Sequence, residues 1–139
     1  MSAFATAKKF FETLEALKGW EGCRQYVSDK APFSCQAGAM ADVTTVEGYC
    51  EWVAGFGSVT APGATYDLHA SSWDEDRQVA TFFATYNARH TGDGGPVPPT
   101  NKKTVSEYVY AIKMNAENKV ESMIKIWNDG WALKELGWA

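Results

Sequence analysis

Apolar residues recur along the first part of the chain with helical spacing. In the segment from Ser2 to Leu17, Phe4, Ala7, Phe11, Leu14 and Leu17 fall three or four apart with charged residues between them. That period predicts an amphipathic helix stopped near Gly19, its apolar stripe packed over another layer. Glu21 to Lys30 reads as a second short helix or turn broken by Pro32, with an extended piece around Phe33 to Cys35. A third helix is predicted where Val43, Val46, Tyr49, Cys50, Val53 and Phe56 share a side, with Thr44 and Glu47 spaced as a capping box and Gly55 and Gly57 at its end.

Beyond Gly63 the period changes from helical to alternating. Thr65 to Trp73, Arg77 to Thr91, Lys103 to Met114 and Lys119 to Trp127 are rich in β-branched and aromatic residues and predict four strands. Asp74-Glu75-Asp76 and Asn115-Ala116-Glu117-Asn118 are short enough for hairpins, whereas Gly92 to Thr100 is a stiff, turn-rich link. Helices followed by an antiparallel meander indicate one α+β domain over residues 1–139. A second strand of about fifteen residues would have to coil, so a strongly curved sheet enclosing a concavity is expected.

Composition narrows the partners. The formal net charge is −4 and no basic cluster is present, which argues against nucleic acid. No apolar run is long enough to span a bilayer and no signal peptide is evident, so a cytoplasmic location is expected. Cys23, Cys35 and Cys50 include no close pair and read as reduced thiols. His69 and His90 are the only histidines and there is no C-x-x-C, so no metal site is expected. The six Trp and six Tyr suit a lined pocket or an interface as well as a core.

Alternation sorts the candidate chemistry onto faces. Asp67 and His69 lie on one side of the first predicted strand with Thr65, Ser71 and Trp73, where a carboxylate could orient an imidazole. Phe82, Ala84, Tyr86, Ala88 and His90 form one face of the second, the small alanines leaving room beside the aromatics. Tyr108 on the third can donate to a ligand oxygen, and Met123, Lys125 and Trp127 share one side of the fourth. Tyr49 and Trp52, three apart on a helix, approach the same side. The candidate acid, base and donor groups are therefore His90, Asp67, Asp129, His69 and Tyr108, and the candidate pocket residues are Tyr49, Trp52, Tyr86 and Trp127. This inventory suits a small hydrophobic molecule bearing a carbonyl or hydroxyl, and proton transfer at such a carbonyl. No phosphate loop, dinucleotide fingerprint or nucleophile elbow is present.

The stretch His90-Thr91-Gly92, the loop Gly95-Pro96-Val97-Pro98-Pro99-Thr100, the late strand carrying Trp127 and the ending Leu133-Lys134-Glu135-Leu136-Gly137 resemble the SnoaL-like branch of the NTF2-like superfamily. The resemblance implies a cystatin-like, cone-shaped α+β domain with N-terminal helices packed in a strongly curved, mostly antiparallel sheet. It also implies a homodimer. In the polyketide cyclases of that group a histidine and an aspartate handle enolisation; His90 matches the histidine, and Asp129 or Asp67 supplies the carboxylate. Ketosteroid isomerase-like enzymes and dehydratases share the fold, so the resemblance implies a cofactor-independent isomerase, cyclase or dehydratase. The alternative is a non-catalytic binding or oligomerisation domain, with Trp127, Trp131 and Trp138 as interface anchors.

Overall fold

The computed structural model describes residues 1–139. Helix α1 (Ala3–Glu15) is capped by Ser2, whose hydroxyl accepts from the Ala5 amide at 3.1 Å. It buries Ala7, Phe11 and Leu14 of the predicted stripe and with them Phe10 and Glu15, whereas Phe4 and Leu17 are partly buried. After a short α2 (Gly19–Cys23) and a 3₁₀ turn comes β1 (Phe33–Cys35), then α3 (Val46–Gly55), which continues as one π-helical turn through Thr60. The cap of α3 is Thr45 rather than Thr44; its hydroxyl accepts from Gly48 N at 3.0 Å, one residue later than the predicted box.

Strands β2 (Thr65–Asp74), β3 (Val79–Arg89), β4 (Lys103–Met114) and β5 (Val120–Trp127) follow, and a terminal helix α4 (Asp129–Glu135) completes the chain. The strand order is β1-β5-β4-β3-β2, antiparallel except where β1 runs parallel to β5. This corrects the expectation of a strongly curved cone. The sheet is open, with β1 and β2 as separate edges, and it is not strongly curled. The physical reason lies in strand length: β3 has 11 residues rather than about fifteen, and β1 has three, so neither demands nor allows closure. Helices, not a rolled sheet, complete the enclosure.

One sheet face carries the even-numbered residues of β3 and β4, from Ala80 to Ala88 and Thr104 to Met114, with Met123 and Lys125 of β5. Phe11 of α1 stacks on Phe82 at 4.6 Å, and Phe33 stacks on Tyr49 of α3 at 4.4 Å, so the helices cover this face with aromatic contacts. Leu68, Val105, Ile124 and Ile126 remain exposed. The strand alternation is broken once. A register shift between Leu68 and Ala70 leaves Asp67 opposite Thr85 but sets Ser71 opposite Phe82 and Trp73 opposite Ala80. Asp67 and Trp73, expected on one side, therefore face opposite ways. No helix is long and apolar enough to cross a membrane.

Candidate active site

Between the covered sheet face, α3 and α4 lies a cavity of about 50 Å³, with thirteen hydrophobic residues among the seventeen that line it. It shares Ala39, Trp52, Phe56, Leu133 and Trp138 with a wide surface cleft, which marks the route to solvent. Tyr49, Trp52, Tyr86, Tyr108 and Trp127, all singled out from the sequence, line this cavity together. Their convergence follows from register: Tyr86 and Tyr108 are inward on β3 and β4, Trp127 is opposite Tyr108 on β5, and α3 lies above.

The expected histidine and carboxylate pair is not assembled. Asp67 and His69 sit on the exposed outer side of the β2–β3 hairpin, where Asn87 Nδ2 donates to Asp67 at 3.1 Å and His69 Nε2 meets the Thr85 hydroxyl at 2.7 Å. Asp129 accepts from Ala39 N at 3.0 Å, tying the start of α4 to the loop after β1. His90 is fully buried but does not line the cavity. Its Nδ1 accepts from the indole of Trp138 at 2.9 Å and from Thr100 N at 3.3 Å. An indole only donates, so Nδ1 holds the lone pair and the ring is the neutral tautomer protonated at Nε2.

The sequence motif behind the family resemblance has a structural explanation here. Thr100 donates through its hydroxyl to Leu136 O at 2.6 Å, and Glu135 accepts from Thr104 and Val105 N at 2.8 and 2.9 Å. Gly92 N donates to Thr60 O at 2.9 Å, and a Cβ on Gly92 would stand 1.8 Å from Val59 O, so only glycine fits. Thr100 thus ties the 90–100 loop to the end of α4, Glu135 ties α4 to β4, Gly92 holds the loop against the turn after α3, and His90 holds Trp138 in the cavity wall.

Two charged residues not among the candidates occupy the site itself. Glu15, the last residue of α1, is 6% exposed; its Oε1 accepts from the Tyr108 hydroxyl at 3.1 Å, and its Oε2 is buried without a partner. Burial pushes its pKa up, against the opposing pull of the Tyr110 hydroxyl, Lys125 and the Tyr108 hydroxyl. Tyr49 and Tyr110 join hydroxyl to hydroxyl at 2.6 Å beside it. Lys125, 7% exposed, projects its Nζ over Trp127 at 4.2 Å, Tyr49 at 5.2 Å, and Trp52 and Tyr108 at 5.5 Å. It joins neither of the two ion pairs in the protein, and desolvation brings its pKa down to about 8. A sequence signal existed for both: Glu15 lies one turn after Phe11 on the buried stripe, and Lys125 alternates with Met123 and Trp127. No cluster of three or more His, Cys, Asp or Glu side chains is placed to hold a metal ion.

Solved structures with this fold, helices over an open and mainly antiparallel sheet, match the chain over nearly its whole length. A protein from a Jannaschia species assigned as a SnoaL-like polyketide cyclase superposes with a TM-score of 0.78 at 12% identity, covering 99% of this chain and 92% of that one. IdmH from Streptomyces antibioticus, assigned as a polyketide cyclase, gives 0.76 at 14% identity and covers 99% of both chains. BvnE pinacolase from Penicillium brevicompactum gives 0.70 at 10% identity, over 95% of this chain and 86% of that one. At such identities the likeness shows the shared fold. No protein-family model matches the sequence, and no curated protein matches it.

Proposed function

We propose that the protein is an acid/base enzyme, needing no cofactor, that moves protons on a small hydrophobic carbonyl compound, as in isomerisation, cyclisation or dehydration. The observation that carries this reading is Glu15: a carboxyl group inside an aromatic cavity, with one oxygen fixed by Tyr108 and the other uncommitted. Burial raises the proton affinity of this carboxyl group above that of a solvated glutamate, which makes it a stronger base and lets the protonated form act as the returning acid. Tyr108 spends its one hydroxyl proton on Glu15, and the Tyr49–Tyr110 pair uses one of its two, so the other proton of that pair is the donor for the oxygen on which negative charge develops as an α-proton leaves. The apolar walls suit a substrate with few polar groups, and the small volume suits one of modest size unless Trp52, Phe56 and Trp138 at the mouth swing aside. The solved cyclases with this fold support the same class of chemistry by analogy.

Exchange of α-protons into D2O, followed by proton NMR on a panel including 2-indanone and 1,3-cyclohexanedione, tests the proposal. The wild-type protein should accelerate exchange on at least one probe, with a rate that rises through a pKa above the ordinary glutamate value. Glu15→Gln should lose at least about a hundredfold of that acceleration. Equal rates for wild type and Glu15→Gln would overturn the assignment.

A further inference from the structure

We infer that Lys125 is a Schiff-base nucleophile whose ε-amine condenses reversibly with the carbonyl of a small aldehyde or ketone in the cavity. The inference rests on the cavity being the reaction site and adds a covalent step to it. A buried lysine ordinarily ends on a carboxylate or on several hydrogen-bond acceptors, because an isolated ammonium is costly to desolvate. Nζ of Lys125 has neither; it ends among the faces of four aromatic rings, in a residue that lines the cavity. Its place is set by β5, where it lies opposite Tyr110 of β4 with Cys35 of β1 on the other side, so its backbone is paired on both flanks.

Three features favour an imine there. The first is availability of the free amine: with a pKa of about 8, about one-tenth is unprotonated at pH 7, far more than for a solvated lysine. The second is charge. An ammonium and a protonated imine each place one positive charge at Nζ, so the rings that accommodate the first also accommodate the second. The third is Glu15, which faces the same cavity as an acid and base.

The sequence of bonds is complete with these groups. The Nζ lone pair attacks the carbonyl carbon, the C–N bond forms and the carbonyl π electrons move to oxygen. A proton passes from nitrogen to that oxygen to give a neutral carbinolamine. Protonated Glu15 then donates to the hydroxyl, the C–O bond breaks, water leaves, and the nitrogen lone pair closes the C=N bond as an iminium ion opposite the new carboxylate. That carboxylate can remove an α-proton, leaving a neutral enamine, and the reverse steps with water release the carbonyl product. The substrate class is thereby narrowed to aldehydes and unhindered ketones, excluding esters and amides, which do not form imines.

The test incubates the intact protein with benzaldehyde and sodium cyanoborohydride, which reduces an iminium ion to a stable secondary amine, and maps adducts by mass spectrometry. Lys125 should be labelled at pH 7 at least about tenfold faster than exposed lysines such as Lys102 or Lys134, with a rate that climbs through a midpoint near pH 8. Labelling of Lys125 no faster than the exposed lysines would overturn the inference. The α-proton exchange assay on Lys125→Met separates the two proposals. Undiminished exchange with the Lys125→Met protein would refute the Schiff base and leave Glu15 chemistry standing. Absence of exchange with the wild type alongside selective labelling would instead refute the Glu15 reading alone.

Discussion

Lys125→Met should make the protein more stable at neutral pH while removing the amine from the cavity. Methionine matches the lysine stem in length and flexibility, so the aromatic contacts of the stem are kept and no cavity of consequence is opened. What is lost is the ionisable group. Its pKa falls from 10.5 to about 8 on folding, which at about 1.4 kcal/mol for each tenfold change in proton affinity is a penalty of about 3 kcal/mol. The sign follows from proton counting. Below pH 8 the amine is protonated in both states and the full penalty applies to the folded one. Between pH 8 and 10.5 the unfolded chain binds more protons than the folded chain, so wild-type stability rises with pH relative to the variant. The advantage of Lys125→Met should therefore shrink from about 3 kcal/mol at pH 7 to under about 1 kcal/mol at pH 10, an upper bound because the rings attract the ammonium. Urea unfolding of both proteins at the two pH values measures it, since the titrations of groups remote from Lys125 cancel in the difference. A stability difference that does not change between pH 7 and pH 10 would refute the claim that Lys125 is held desolvated. A stabilising substitution inside the cavity also accords with a residue kept for chemistry rather than for stability.

The hydroxyl pair beside Glu15 gives a second prediction: Tyr110→Phe strands the buried Tyr49 hydroxyl and should cost about 1–3 kcal/mol, whereas Tyr49→Phe combined with Tyr110→Phe should cost less than the single change. Thermal unfolding of the two single variants and the double variant reads out that non-additivity. Gly92→Ala should lower stability by more than about 2 kcal/mol, or prevent folding, because its Cβ would collide with the Val59 carbonyl and push the 90–100 loop from the π-helical turn after α3. Yield of folded protein and urea midpoint check this, with Gly55→Ala as the permissive comparison, since nothing lies within 4 Å of a Cβ there.

Much of the architecture is legible locally. The predicted span of β4 is the observed one, β5 and α1 differ at their ends by one or two residues, and the inward faces of β3 and β4 follow from alternation alone. Helix α4 is absent from the sequence reading because seven residues with three charges among two tryptophan-rich stretches show no clear helical period; docking on β4 stabilises it. The four candidate pocket residues, Tyr49, Trp52, Tyr86 and Trp127, and the candidate donor Tyr108 all line the cavity, because each occupies an inward position of an element whose period is plain.

The rest was decided by packing between distant parts of the chain. Pairing with Thr85 keeps Asp67 on the outside, and the register shift between Leu68 and Ala70 turns Ser71 and Trp73 inward instead; no local pattern marks that shift. Trp138 and Thr100 engage His90, and the backbone amide of Ala39 engages Asp129, in structural hydrogen bonds outside the cavity. Glu15 and Lys125, from opposite ends of the chain, became functional candidates only because helices covered the sheet and took water away from them. Along the sequence each is a single charge on an apolar face, a position that marks it as unusual without saying what surrounds it. Periodicity is a property of the backbone and is written locally; desolvation, which changes what a carboxyl group or an amine can do, is a property of whatever the fold places on top of it.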